Sequence, residues 1–307
     1  VKKLLNLNYN LINIDKLTYA ANKNLNNQFL KKKNYKFYKI DISNQKKLNT
    51  IFQKYKPYLV FNFAAESHVD NSITNPKNFI NTNIIGTYNL ISETKKLHDN
   101  GNKIKFIQIS TDEVYGDIIK NKTTSKESDP YRPSSPYSAS KASADHLVRA
   151  WCRTFKINYN ITCSSNNFGP YQNKEKFIPV IINSFKNKRI VPVYGLGNQK
   201  RNWIYVEDNV EAIFKVGLKG KKNTTYNIGS HVTLTNLDLL HKIKNILIKN
   251  HKFNPKIDNL ITFVKDRPGH DLKYEVNFSR IRRDLNWKAK TKIRNGLMKT
   301  ISWYLDN

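Results

Sequence analysis

Five short apolar stretches recur along the first half of the chain, and each runs into a small polar cluster. They are "LINID" (Leu11–Asp15), "YKFYKID" (Tyr35–Asp41), "LVFNFAAES" (Leu59–Ser67), "IKFIQISTDE" (Ile104–Glu113) and "NITCSSNNFGP" (Asn160–Pro170). Longer segments of helical character separate them: Asn44–Tyr55, stopped by Pro57, then Asn75–Leu97, opened by Asn-Pro, and Ser135–Phe155, opened by Ser-Pro. Proline fits the first helical position, where its missing N–H costs nothing. Short strands alternating with helices predict a parallel, doubly wound α/β sheet of Rossmann type. In such sheets ligands bind beyond the carboxyl ends of the strands. The polar clusters are therefore expected together on one rim.

After Gly169 the alternation loosens. Helices are predicted near Lys176–Asn187, Glu207–Leu218 and Leu237–Lys249, and Arg280–Leu305 reads as mainly helical. Strand-like pieces fall at Ile190–Tyr194, Trp203–Val206 and Tyr226–Gly229. With 307 residues, there is room for a Rossmann-like cofactor domain over residues 1–168 and a smaller mixed α/β substrate domain over 169–307, the chain crossing between them.

The formal net charge of +30 raises nucleic acid as a partner. The charge is spread along the chain, and lysine far outnumbers arginine, whereas base readout and bidentate phosphate contacts favour arginine. A solvated basic surface is the reading adopted, with no nucleic-acid partner; such a surface still attracts an anionic small molecule. No apolar run approaches the roughly 20 residues that span a bilayer, so no membrane partner is expected. No signal peptide is visible, and the two cysteines, Cys152 and Cys163, lack metal-ligand spacing. A reducing cytoplasm and no metal are the expectations.

Three motifs carry chemistry. Tyr137 and Lys141 lie four apart in "SPYSASKAS", on one face of the predicted helix. A lysine ammonium there is expected to lower the phenol's pKa and make it a base for a hydroxyl proton. By itself the spacing fits an ordinary surface helix; the STDE strand end upstream favours function. Asp112 and Glu113 are adjacent acids at that strand end. Two partly buried carboxyls drive their pKa values apart, giving one acid and one base. Consecutive strand residues face opposite ways, so the strand must end by Asp112, and Gly116 permits the turn. Thirdly, Asp15 is placed to accept hydrogen bonds from an adenosine ribose, which favours NAD over its phosphorylated form. Asp41 and Ile42 are expected near the adenine, and Ala64 and Ala65 allow close backbone approach.

The motifs "IDKLTYA", "AAESHVDNSI", "NIIGTYNLI", "ISTDEVYGD", "SPYSASKASADHLVRAW", "SNNFGPYQ", "RNWIYVEDNVEAI", "YNIGS" and "DRPGHDLKY" occur in that order. Together the sequence resembles the dTDP-glucose 4,6-dehydratase family of extended short-chain dehydrogenases/reductases. The Thr-Asp-Glu triplet sets that family apart from the epimerases it is related to. The resemblance implies NAD as cofactor, dTDP-glucose as substrate and a homodimer. It implies catalytic roles for Thr111, Asp112, Glu113, Tyr137 and Lys141. Cofactor contacts are implied for Asp15, Lys16, Leu17, Thr18, Asp41, Ile42, Phe63, Ala64, Ala65, Ser67, Thr82, Tyr137, Lys141 and Asn167. Substrate contacts are implied for Ser67, Asn166, Lys176, Phe177, Pro192, Tyr194, Arg201, Asn236, Asp266, Arg267 and His270, beside the triplet. Arg201 is also suited to clamp a diphosphate, since arginine bonds in bidentate fashion.

One family element has no counterpart: the first strand and its Gly-x-x-Gly-x-x-Gly turn. Val1–Leu5 resembles the last turns of the helix that follows it. The sequence is therefore expected to be an excerpt of a complete enzyme, with a gap in the sheet and, for these residues as given, weak or absent activity. The alternatives are the same dehydration on UDP-glucose, and an inactive, truncated dehydrogenase-fold binding protein.

Overall fold

The computed structural model describes residues 1–118, 122–266 and 268–307. Its strands are β1 (Leu11–Asp15), β2 (Tyr35–Lys39), β3 (Leu59–Asn62), β4 (Lys105–Thr111), β5 (Asn158–Ser164), β6 (Asn166–Phe168), β7 (Val191–Tyr194), β8 (Lys200–Tyr205), β9 (Thr224–Ile228), β10 (Thr233–Thr235), β11 (Ile261–Val264) and β12 (Lys273–Tyr274). Its helices are α1 (Lys2–Asn6), α2 (Lys23–Leu30), α3 (Gln45–Tyr55), α4 (Val69–Thr74), α5 (Pro76–Phe79), α6 (Gly86–Asp99), α7 (Pro136–Thr154), α8 (Phe177–Lys186), α9 (Val206–Lys219), α10 (Asn236–His251), α11 (Ser279–Leu285) and α12 (Ile293–Asp306).

The main sheet runs β3-β4-β5-β9, all parallel. Strands β4 and β5 are buried along nearly their whole length, as central parallel strands covered on both faces must be. Leu48, Phe52, Leu90, Leu97 and Val148 of α3, α6 and α7 pack with Phe106 and Ile161 on one side. Ile213, Val216 and Ile281 of α9 and α11 form a second cluster with Tyr226, Ile228 and Trp287. A third core joins α8, α10 and α12 through Ile181, Phe185, Leu240, Ile243, Leu297 and Ile301. Although β9 comes late in the sequence, it lies beside β5, so the chain returns to the first sheet after leaving it.

Strands β1 and β2 form a separate parallel pair. Among the described residues no strand pairing joins β1 to β3. A cavity of about 410 Å³ lies between them, lined by Leu11–Asp15 on one side and Leu59–Phe63 on the other. This is the gap in the sheet that the sequence led us to expect, and it leaves two strand edges facing each other.

The predicted long helix after Asn75 is three pieces: α5, a wide π-helical turn at Ile80–Ile85, and α6. Asn83 explains the interruption. It is buried, accepts the Glu66 N–H at 2.9 Å, and donates to the Glu66 carbonyl at 3.0 Å and to the Ser140 hydroxyl at 2.8 Å. A π turn inserts one residue into the helical register and can swing such a side chain inward. Helix α7 begins as expected: Ser135 and Ser138 form a reciprocal cap, with Pro136 in the first turn.

Candidate active site

The chain stays extended through Thr111 and then breaks into a 3₁₀ turn, Asp112–Tyr115. The Thr111 hydroxyl starts the turn by accepting the Glu113 N–H at 3.3 Å. The strand has thus ended by Asp112, the condition under which the two acids can share one site. Gly116 then adopts φ +70°, and a Cβ there would stand 2.1 Å from the Arg132 carbonyl oxygen.

Asp112 is 3% exposed. Burial first, and the Glu113 charge second, push its carboxyl up to about 8, against the pull of Arg201 and Thr111. Its Oδ1 receives the Thr111 hydroxyl at 3.3 Å, while Oδ2 is buried without a hydrogen-bond partner among the described residues. Asp112 is therefore an acid still carrying its proton at neutral pH, next to a second carboxyl.

Tyr137 is buried on α7, which packs against the 3₁₀ turn that carries the acid pair. Burial, then the Glu113 charge, push the phenol well above its ordinary value. The expected lowering by Lys141 is not met. Lys141 is also buried, and its ammonium turns away to donate to the Ile109 carbonyl at 2.6 Å. Desolvation of the phenol dominates.

The expected cofactor residues gather on the neighbouring strand ends. Asp15, Lys16, Thr18, Asp41, Ile42, Phe63, Ala64, Ala65 and Thr82 all line the cavity between β1 and β3. Asp15 accepts the N–H of Leu17 at 2.7 Å, and Lys16 pairs with Asp41 at 2.7 Å. The cavity lining does not include the carboxyl pair, Tyr137 or Lys141. Asn83 connects the two regions, because it ties Glu66 on the cavity wall to Ser140, next to Lys141. Asn167 lies on β6 and donates to the Ser165 carbonyl at 3.0 Å, but its Oδ1 is buried and unpartnered among the described residues, as is that of Asn166.

The expected substrate residues come mainly from the second half. Lys176 precedes α8 and donates to the Ser67 carbonyl at 2.7 Å, while Phe177 opens the helix. Tyr194 on β7 packs edge-on to His270 and reaches Asp70 at 3.5 Å. His270 contacts Asp266 at 2.6 Å, and Gln199 bridges Asp266 to Asn236. Pro192 sits two residues before Tyr194, opposite Thr262 of β11. Arg201 is buried, lies over the Tyr274 ring at 4.4 Å and donates to the carbonyls of Lys200 and Asp271 at 2.9 Å each. Arg267 lies outside the described residues.

Three participants escaped the sequence reading. Tyr274 hydrogen-bonds Asp271, and its ring lies under Arg201; it closes the "DRPGHDLKY" motif. Asn83 lies inside the "NIIGTYNLI" motif, but helical spacing cannot reveal a π turn. Asp145, fully buried on α7, takes the Ser110 hydroxyl at 2.6 Å and the Tyr131 hydroxyl at 3.0 Å. Its spacing of four from Lys141 was the available signal.

Comparison with known proteins bears on this geometry. The sequence profile of the GDP-mannose 4,6 dehydratase family matches residues 1–300. The dTDP-glucose 4,6-dehydratase of Haemophilus influenzae is 44% identical over 306 residues, covering 97% of this chain and 90% of that one. The crystal structure of DesIV, the dTDP-glucose 4,6-dehydratase of Streptomyces venezuelae solved with NAD bound, superposes with a TM-score of 0.91 at 33% identity, covering 100% of this chain and 92% of that one. The UDP-glucose 4-epimerase of Thermotoga maritima, solved with UDP-glucose, gives a TM-score of 0.88 at 25% identity, with 99% and 94% covered. Epimerase and dehydratase thus share one fold, and the site residues must separate the two chemistries.

Proposed function

The chain belongs to the dTDP-glucose 4,6-dehydratase family of extended short-chain dehydrogenases/reductases, and from that membership we infer that it converts dTDP-glucose to dTDP-4-dehydro-6-deoxyglucose. It is a lyase of deoxysugar biosynthesis and uses NAD. The observation that carries this reading is Asp112, buried beside Glu113 at the end of β4, where burial raises its carboxyl. Elimination of water needs one carboxyl that gives a proton and a neighbour that takes one.

The residues present fit the cofactor. Asp15 stands at the tip of β1, two alanines narrow nothing beyond their Cβ atoms on the cavity wall, and Asn167 offers a buried, unpartnered oxygen. We assign Asp15–Thr18, Asp41, Ile42, Phe63–Ala65, Ser67, Thr82 and Asn167 to hold it. Bound NAD would supply the hydride acceptor for sugar carbon 4 and the hydride donor for carbon 6. Tyr137, as its phenolate, receives the proton of the carbon-4 hydroxyl, and Thr111 hydrogen-bonds the same oxygen. Lys141 supports this step from the same helix face. The ketone at carbon 4 acidifies the hydrogen on carbon 5. Glu113 removes that hydrogen, Asp112 protonates the departing carbon-6 hydroxyl, and a proton returns to carbon 5 as hydride reaches carbon 6.

In this reading residues 1–168 serve the cofactor and 169–307 the nucleotide sugar. Arg201, Lys176, Asn166, Phe177, Pro192, Tyr194, Asn236, Asp266, Arg267 and His270 take the sugar nucleotide, with Arg201 supplying charge to the diphosphate. A homodimer is supported by exposed Ile80, Ile85 and Tyr88, the last packed edge-on to Trp151 of α7. The cytoplasm, where sugar nucleotides are made, is the compartment proposed; no helix among the described residues is long and apolar enough to cross a membrane. Incubation with dTDP-glucose and, separately, UDP-glucose tests the assignment. The alkali-absorbing 4-keto product is expected from dTDP-glucose, and its absence with both sugars would overturn the reading.

A further inference from the structure

Two consecutive residues at the end of β4 are each bonded to α7. The Ile109 carbonyl accepts from Lys141 at 2.6 Å, and the Ser110 hydroxyl donates to Asp145 at 2.6 Å. Tyr137, Lys141 and Asp145 are spaced by four along one face of the helix. The strand that presents the acid pair and the helix that presents the redox pair are thereby locked in one register.

We propose that Asp145 is a positioning residue of the dehydration: it fixes α7 against β4 through Ser110, and its carboxylate holds Lys141, one turn earlier, in the charged form. The proposal rests on the dehydratase reading above. Burial raises the Asp145 carboxyl, and the hydrogen bonds that its Oδ2 accepts from Ser110 and Tyr131, with the charges of Lys141 and Arg149, favour the carboxylate against it. Arg149 backs this arrangement by donating to the Tyr131 hydroxyl at 2.8 Å.

The groups surrounding the pair agree with it. On α7 these are Tyr137 and Arg149; β5 contributes Cys163, the loop entering α7 contributes Tyr131, and the 3₁₀ turn contributes Tyr115. Burial pushes the Cys163 thiol up to about 12, and raises Tyr131 and Tyr115 well above their ordinary values, so all three are neutral at pH 7. Burial also pulls the Lys141 ammonium down, and the Asp145 charge is the foremost influence opposing it.

The test compares Asp145→Asn, Ser110→Ala and Tyr131→Phe by steady-state kinetics on dTDP-glucose across pH, and by nitrogen-15 lysine NMR with Lys141 assigned through Lys141→Arg. Asp145→Asn keeps the shape and removes the charge. It should lower kcat on the order of tenfold with KM within about twofold. The Lys141 titration midpoint should fall by about one pH unit or more. Ser110→Ala and Tyr131→Phe should lower kcat by about two- to fivefold at constant KM and leave the lysine midpoint unmoved. An unmoved midpoint in Asp145→Asn, or identical kinetic losses in all three variants, would reduce Asp145 to packing and overturn the proposal. Should Asp145→Asn not fold, wild-type kcat in both other variants overturns it. Failure of the parent protein to make any 4-keto product would count against the dehydratase reading instead, because the lysine titration reads the Asp145–Lys141 link without turnover.

Discussion

The two ends of the sheet differ in how their polar groups are held. At the β4–β5–α7 corner, Thr111, Asp112, Tyr137, Lys141 and Asp145 are all buried, and most of their polar atoms are hydrogen-bonded within the protein. At the β1–β3 opening, Asp15 is exposed, Phe63 is 58% exposed, and both strand edges face a cavity of about 410 Å³. The first region has its proton-transfer groups fixed by packing before any substrate arrives. At the second, the polar strand-end residues Asp15, Lys16 and Asp41 stand nearer to solvent, and Lys16 pairs with Asp41. The contrast is one of burial.

The largest expected effect breaks the first region at its base. Glu113→Gln should lower formation of the 4-keto product by at least about 100-fold, because a positioned base contributes on that order or more. Transient reduction of the bound nicotinamide should remain visible in the near ultraviolet on adding dTDP-glucose, since oxidation at carbon 4 depends on Tyr137. Unimpaired product formation would remove Glu113 from its role.

Asp112→Asn sharpens the same region through stability as well as rate. Its folded-state value of about 8 stands above the ordinary 3.8. A raised acid favours folding below pH 3.8, and that contribution is lost as pH rises through about 8. Asparagine cannot ionise, so the variant should match the parent near pH 4. It should become more stable by a few kcal/mol, on the order set by about 1.4 kcal/mol per pKa unit, above pH 8. Product formation should meanwhile fall about 100-fold. Thermal melts at pH 4 and pH 9, with the product assay at pH 7, check both halves. A lower melting temperature at pH 9 would contradict the buried-acid assignment.

Local sequence patterns revealed the strand ends, and with them the Thr111–Glu113 triplet and the Tyr137/Lys141 face, because strand and helix periods fix which residues share an edge or a face. Less legible was where a buried charge points. Lys141 bonds the Ile109 carbonyl, a backbone group that any residue at position 109 would supply. Asn83 clamps Glu66 and Ser140 from a π turn, and these partners lie 17 and 57 residues away. Tyr274 meets Arg201 from 73 residues further along the chain. Such contacts depend on tertiary packing, which neither spacing nor composition encodes.

The smallest expected effect comes from a lysine at the open end. Lys16 meets Asp41 at 2.7 Å, nearly the distance at which Lys141 meets its carbonyl. The Lys16 side chain, however, is 55% exposed. Burial raises the Asp41 carboxyl, but hydrogen bonds from Lys16 and Ser43 outweigh it and hold the group below its ordinary value. A depressed acid contributes stability above pH 3.8 that is lost as pH falls through its folded value. Water and salt screen an exposed pair, so Lys16→Ala should cost no more than about 0.5 kcal/mol near neutrality. The difference should vanish in molar salt or below about pH 3, read by denaturant melts under the three conditions. A cost above about 1 kcal/mol that survives molar salt would mean the β1–β3 end is packed as firmly as the catalytic corner. Equal distances with unequal energies would locate the contrast between the two ends in burial rather than in contact geometry.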